Sequence, residues 1–232
     1  MKLKTRILIF IIFAGILMAL AGFDDAMLVM KGDVIDLNDS EITDYEQDTL
    51  IKGNIYFPVG CIATKEESHT VYGIPAGKTT TYYYLVCNVD HDSYDTYMNS
   101  DQEELNDFYV IFSTSDEEMI DRIDKLSDEW DEYLEKQDNG DRSAVYPSTE
   151  VSFQGRLAPQ PGEEDYIKYR DECFEEWEFK PTEVATYRIR DGKLGLPAVL
   201  LFFGGVLLTV GGIAASIISF ISGRKKRETE FY

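Results

Sequence analysis

The chain has 232 residues, 44% of them hydrophobic and 28% charged, a mix that suits a folded domain with membrane segments and argues against a disordered chain. It carries 43 Asp and Glu against 22 Lys and Arg, for a formal net charge of −21. Such an acidic surface argues against nucleic acid and anionic lipid as partners of the main domain, and leaves cations and basic proteins.

The first element is an uncharged apolar run from Ile7 to Phe23, preceded by Lys2, Lys4 and Arg6. As a helix it spans roughly 25 Å, near the lower limit for a bilayer core. Ala19-Leu20-Ala21 also resembles a signal-peptide cleavage site, but the run is long for a signal core, which favours a retained anchor. Asp24 to Asp48 is acidic and weakly patterned, with a short strand expected at Asp33–Leu37. Asn38-Asp39-Ser40 is a glycosylation acceptor if the host is eukaryotic.

Alternating apolar residues predict strands over Ile51–Ala63 and Thr79–Val89. Pro58 and Gly60 mark the first as an edge strand or a bulged one. A hairpin turn centred near Ile74 sets Cys61 opposite Cys87, a geometry that permits a disulfide in an oxidising compartment. The competing reading makes both small core residues. Cys173 is expected as an inert buried thiol. Tyr82 and Tyr84 share one face of their strand, as core under a helix or as an exposed patch.

Asp90, Asp92 and Asp95 fall in one acidic loop around His91, which offers oxygen ligands to a hard cation such as calcium. The loop lacks the glycine and glutamate of an EF-hand, and a solvated loop is the plainer reading. A third strand is expected at Phe108–Thr114. From Ser115 to Gln137 the period becomes helical: Ser115 and Glu118 read as a capping box, and Met119, Ile123, Leu126, Trp130 and Tyr133 form one stripe. A strand over Glu150–Ala158, a helix over Glu163–Phe179 and a strand over Val184–Arg190 follow. Cys173 lies on the apolar side of that helix, with Tyr166, Phe174 and Trp177.

The second apolar run, Leu196–Ile221, makes roughly 39 Å of helix and can tilt across a bilayer. Gly205, Gly211, Gly212, Ala215 and Ser216 give it small-residue spacings at which membrane helices pack. The partner is the first run, a second copy or another protein. Arg224, Lys225, Lys226 and Arg227 come next.

Basic residues hold flanking segments in the cytosol. The two ends carry 7 basic and 2 acidic residues, and the stretch between Asp24 and Gly195 carries 15 and 41. The sequence therefore predicts cytoplasmic residues 1–6, a transmembrane helix at 7–23, an acidic extracytoplasmic α+β domain at 24–195, a second transmembrane helix at 196–221 and a basic cytoplasmic tail at 222–232. The domain is expected to hold an antiparallel sheet of about five strands and two helices, flanked by the two spans.

No HExxH, CxxC, GxSxG or phosphate-loop pattern occurs, and the only histidines are His69 and His91. The expected function is thus a non-catalytic interaction or structural module of an envelope or transport assembly, without a cofactor unless calcium. The alternative is an extracytoplasmic sensor of a cation or small ligand, ahead of a hydrolase. Expected partners are the lipid bilayer and either a protein or a second copy met through the second membrane helix. The arrangement of spans, with the phrases IKGNIYFPVGCIA and YYYLV, resembles uncharacterised two-span bacterial membrane proteins with a small extracytoplasmic domain. That resemblance implies a layout and no functional residues.

Overall fold

A computed structural model of the chain describes residues 3–31, 34–39, 46–71, 74–99, 108–141, 143–180, 184–192 and 196–229. They fall into two compact units, a sheet unit (Asp33–Lys193) and a helical unit (Met1–Gly32 with Leu194–Tyr232).

The sheet unit holds β1 (Val34–Asp36), β2 (Leu50–Ile55), β3 (Phe57–Val71), β4 (Ile74–Cys87), β5 (Tyr109–Thr114), β6 (Val151–Pro159) and β7 (Val184–Asp191). They form one sheet in the order β1-β2-β6-β7-β5-β4-β3. The architecture is α+β as expected, but the sheet is larger and mixed. β1 runs parallel to β2 and β5 parallel to β7, while the other neighbours are antiparallel. The excess over five strands has two sources. Val34–Asp36 within DVIDL forms a strand, and the run expected as one strand over Ile51–Ala63 is two.

Tyr56 alone separates β2 from β3, yet these strands are second and seventh in the order. In a flat sheet, strands five places apart lie roughly 24 Å from each other. The Cα atoms of Ile55 and Phe57 are two virtual bonds apart, at most about 7.6 Å. The sheet therefore curls until its second and seventh strands, β2 and β3, converge at Tyr56. Pro58 and Gly60 sit where expected, in an edge strand with register shifts at Pro58/Gly60, Cys61/Ala63 and His69/Thr70.

The inner face closes on α4 (Glu117–Asp138). Ile123, Leu126 and Trp130 of this helix join Ile51, Ile55, Tyr84, Phe112, Phe153 and Ile189 in the main core. Burying such side chains contributes about 1.5–3 kcal/mol each, before the entropy of ordering them. The Trp130 indole N–H donates to the Tyr56 carbonyl at 2.6 Å and fixes the helix under the corner. The N-cap is Asp116 rather than Ser115: its carboxylate accepts the Glu118 N–H at 3.0 Å. On the other face α5 (Glu164–Glu176) buries Tyr166 and Phe174 against Ile62, Tyr83, Leu85 and Ile111. Past the helix, the Trp177 ring lies over Gly60, where an added Cβ would approach it to 2.9 Å. Cys173 is half-buried there, with its thiol 3.6 Å from the Ile62 carbonyl.

The helical unit contains α1 (Leu3–Ala21), α2 (Phe23–Lys31) and α6 (Leu196–Thr229). Among the described residues one helical stretch is long and apolar enough to cross a membrane, Val199–Ile221, with mean hydropathy 2.2. The expectation of two flanking spans is corrected to that extent: the apolar part of α1, Arg6–Ala21, is shorter. It covers roughly 24 Å against a core of about 30 Å. The reason is composition, since Asp24 and Asp25 follow at once in α2.

α1 and α6 pack antiparallel at near backbone contact. An added Cβ on Gly205 would stand 2.5 Å from the Gly15 carbonyl oxygen, and one on Gly212 would stand 2.7 Å from Ile12. Phe202, Gly205, Thr209, Gly212 and Ser216 recur at alternating steps of three and four along this seam. Thr209 and Ser216 donate their hydroxyls back to the carbonyls of Gly205 and Gly212, at 2.9 and 2.8 Å. Gly211 and Ala215 are exposed on another face of α6. Lys2 lies outside the described residues. Lys4 and Arg6 begin α1, and Arg224, Lys225, Lys226 and Arg227 lie in the last turns of α6.

Candidate functional site

The stretch expected as a cation-binding loop is a helix, α3 (His91–Asn99). Asp90 caps it: the carboxylate accepts the Ser93 N–H at 2.7 Å. Asp92 and Asp95 are exposed on its surface. Among the described residues no three His, Cys, Asp or Glu side chains gather as a metal site. Asp90, Asp92 and Asp95 are thus not brought together as calcium ligands: Asp90 is taken up by the cap, and Asp92 and Asp95 share an exposed helix face without a third ligand.

His91 turns toward aromatic rings instead. Its imidazole centroid lies 4.6 Å from Tyr56, 4.9 Å from Tyr146, 6.0 Å from Phe57 and 6.5 Å from Trp130. Its Nε2 and the Tyr146 hydroxyl are buried without a hydrogen-bond partner among the described residues. Burial lowers the His91 pKa, against the opposing pull of Asp95, Asp90 and Asp92. The neutral imidazole belongs to this cluster.

The Cys61–Cys87 pairing does not form. Cys61 faces Tyr84 and Cys87 faces Phe57, and among the described residues no two cysteines are joined. The turn is the main cause: Val71 pairs with Ile74, so the chain reverses before Ile74 rather than on it. Between the turn and Cys61 the register shifts cancel, and the one at Pro58/Gly60 moves the partner of Cys87 on to Phe57. Cys87 is buried and Cys61 exposed. Tyr82 and Tyr84 take the core role. Tyr84 is 2% exposed and its hydroxyl donates to Asp124 of α4 at 2.9 Å, while Tyr82 stacks beside it. Burial first, then the Asp124 carboxylate, pushes the Tyr84 pKa far up. Asn38 is a structural pin, not a free acceptor. Its Nδ2 donates to the carbonyls of Asn54 and Asn88 at 3.1 and 2.8 Å, and its Oδ1 accepts the Asn54 N–H. A glycan on that nitrogen would cost at least one of these bonds. Ser40 of the same tripeptide lies outside the described residues.

Two features that the sequence did not single out have site-like geometry. One is a cavity of about 830 Å³ at the first turn of α4, a volume in the range of small-molecule sites. Asp36 and Lys52, 4.0 Å apart, line its strand side, and Glu118 and Arg122 line its helix side. Asp191 enters from the end of β7, its carboxylate accepting the Thr114 hydroxyl at 2.6 Å. Arg122 is held by the Glu150 carbonyl. These residues are scattered along the chain, and no local spacing announces them.

The other is the distal half of the β3–β4 hairpin. β5 pairs with β4 only over Tyr82–Cys87, so Lys65–Val71 and Ile74–Thr81 form a two-stranded ribbon beyond the sheet. Seven residues of strand reach roughly 23 Å. Glu66 to Thr70 are all exposed. Cross-strand polar contacts hold the ribbon: Lys78 to Glu66 at 2.7 Å and His69 to Thr79 at 2.9 Å. At its base Lys65 meets Glu163 at 2.6 Å and Glu67 at 2.9 Å. Pairing with Lys65 lowers the pKa of both carboxyls.

The family described as a domain of unknown function (DUF8577) matches residues 1–223, and the chain belongs to it. The match takes in the apolar stretches of both α1 and α6 along with the whole sheet unit. No curated protein matches the chain.

Proposed function

We propose that this DUF8577 member is a non-catalytic, membrane-anchored interaction module of an envelope or transport assembly. In this reading α1 and α6 cross the membrane as an antiparallel pair, both termini are cytoplasmic and the sheet unit is extracytoplasmic. The observation that carries the interaction role is the projecting ribbon. A lone two-stranded hairpin is marginal in water, and its unpaired edges are templates for another chain. A partner that pairs with it gains main-chain hydrogen bonds, and the ribbon gains order.

Support for the anchoring comes from the helical unit. Antiparallel packing brings the basic start of α1 and the basic end of α6 to the same end of the pair, as cytoplasmic retention requires. The outer surface is apolar all round, with Phe10 71% and Leu207 73% exposed. Cleavage after Ala21 would strip α6 of the partner that covers Gly205 and Gly212. A second reading, an extracytoplasmic sensor, draws on the carboxylate-lined cavity at the start of α4.

Site-specific photocrosslinking in native membranes tests the interaction role. A photoreactive side chain at Glu67 or Thr70 should capture one defined partner, and one at Leu134 on α4 should not. Recovery of the uncrosslinked monomer alone from both ribbon positions would count against the role. For the topology, a reporter fused after Tyr232 should be active only in the cytosol. Activity only beyond the membrane would reverse the orientation.

A further inference from the structure

We propose that the cavity at the first turn of α4 binds a small aliphatic polyamine. The inference gives the sensor reading a ligand class, and it stands whichever side of a membrane the sheet unit faces.

Four carboxylates line this cavity: Asp36 from β1, Asp191 from β7, and Asp116 and Glu118 from the cap and first turn of α4. The two cations beside them are engaged. Lys52 stands 4.0 Å from Asp36, and Arg122 donates to the Glu150 carbonyl. A helix start ordinarily favours an anion. Here Asp116 already answers it, accepting the Glu118 N–H at 3.0 Å, with Glu117 and Glu118 in the first turn. The site therefore selects for positive charge, and the 41 acidic residues between Asp24 and Gly195 raise the local concentration of cations.

The distribution of that charge decides between a metal and an organic cation. Calcium needs about six to eight oxygens at about 2.3–2.6 Å from one point. Among the described residues no three acidic side chains gather in that way. Carboxylates spread around a wide cavity suit a ligand whose positive charges are spread too. Phe153 and Met119 also line the cavity and offer apolar surface to the methylenes between ammonium groups.

The test is calorimetric titration of the full chain in phosphatidylcholine nanodiscs with spermidine, calcium chloride or citrate. Spermidine should bind saturably at one site, with calcium and citrate far weaker. Glu118→Gln and Asp36→Asn should each weaken it about tenfold or more, with unchanged circular dichroism. Asp95→Asn, on exposed α3, should leave affinity unchanged. The proposal is overturned by three outcomes: no saturable heat with spermidine at millimolar concentration, tighter binding of calcium or citrate, or equal weakening by all three variants. The last would mean diffuse counterion attraction to an acidic surface.

Discussion

The two units of this chain bury opposite things. In the sheet unit large apolar side chains go inside: Phe112, Ile123 and Leu126 are wholly buried. In the helical unit the smallest residues go inside. Gly15, Gly205 and Gly212 are buried, while Phe10, Leu20 and Leu207 stand out at 71%, 67% and 73%. Water drives the first arrangement through the hydrophobic effect. In the membrane-anchored reading proposed above, the second gains nothing from that effect, so close backbone approach must supply the attraction. The comparison says which kind of change each unit should tolerate: the sheet unit fears a lost side chain, the helical unit an added one.

Trp130→Ala should show the largest effect. The ring packs against Phe57, Tyr133 and Tyr146 with centroids 4.5, 5.6 and 5.3 Å away, and its N–H holds the Tyr56 carbonyl at the sheet corner. Loss of the side chain should cost about 3–5 kcal/mol. Near-UV circular dichroism during urea unfolding of the full chain in detergent would measure it. A cost under about 1 kcal/mol would mean that α4 does not organise the curled sheet.

Gly205→Leu should come next and Gly211→Leu far behind. At Gly205 an added Cβ meets backbone atoms of Gly15 and Ala19, which cannot rotate away. At Gly211 nothing lies within 4 Å. Overpacking a tight contact costs about 1–3 kcal/mol or more, so Gly205→Leu should separate α1 from α6. Cysteines placed at Ile12 and Gly212 report the contact by disulfide crosslinking in membranes. Equal crosslinking in both leucine variants would break the contrast between the units.

How much of this was legible in the sequence depended on whether neighbours in the chain were also neighbours in space. The α4 stripe was readable because Ile123, Leu126 and Trp130 all face one core. The edge position of β3 was readable because Pro58 cannot serve an inner strand. The corner at Tyr56 was hidden, since Ile55 and Phe57 pack against the same core and keep their alternation through the bend. The cap was off by one residue because Ser115 and Asp116 are both good caps. The α3 helix was hidden by its charges, although His91 and Tyr94, three apart, both meet Phe57. The α1–α6 seam needed the partner helix: Gly205 and Gly211 look alike in sequence, and only contact with Gly15 separates them. The cavity carboxylates Asp36, Glu118 and Asp191 meet only through the topology of the sheet.

The smallest expected effect concerns His91, placed among aromatic rings of the sheet unit. Tyr56, Phe57, Trp130 and Tyr146 face it and exclude water from it, which disfavours the imidazolium; Asp95, Asp90 and Asp92 favour it and lose to burial. The folded pKa is therefore below the usual 6.5. As pH drops through the ordinary imidazole value, the unfolded chain takes up a proton that the folded chain resists, so stability must fall with acidification. Glu129, Glu163 and Glu67 have pKa values below their usual 4.5, so their contributions fade only at lower pH. Thermal unfolding between about pH 7.5 and 5.5 should show a midpoint that declines by a few degrees in the native chain. His91→Phe, which keeps a ring in the cluster, should show a flatter profile over the same range. A native chain that gains stability on acidification would mean that the carboxylates of α3 outweigh burial, and the cluster would then hold an imidazolium over the faces of its rings.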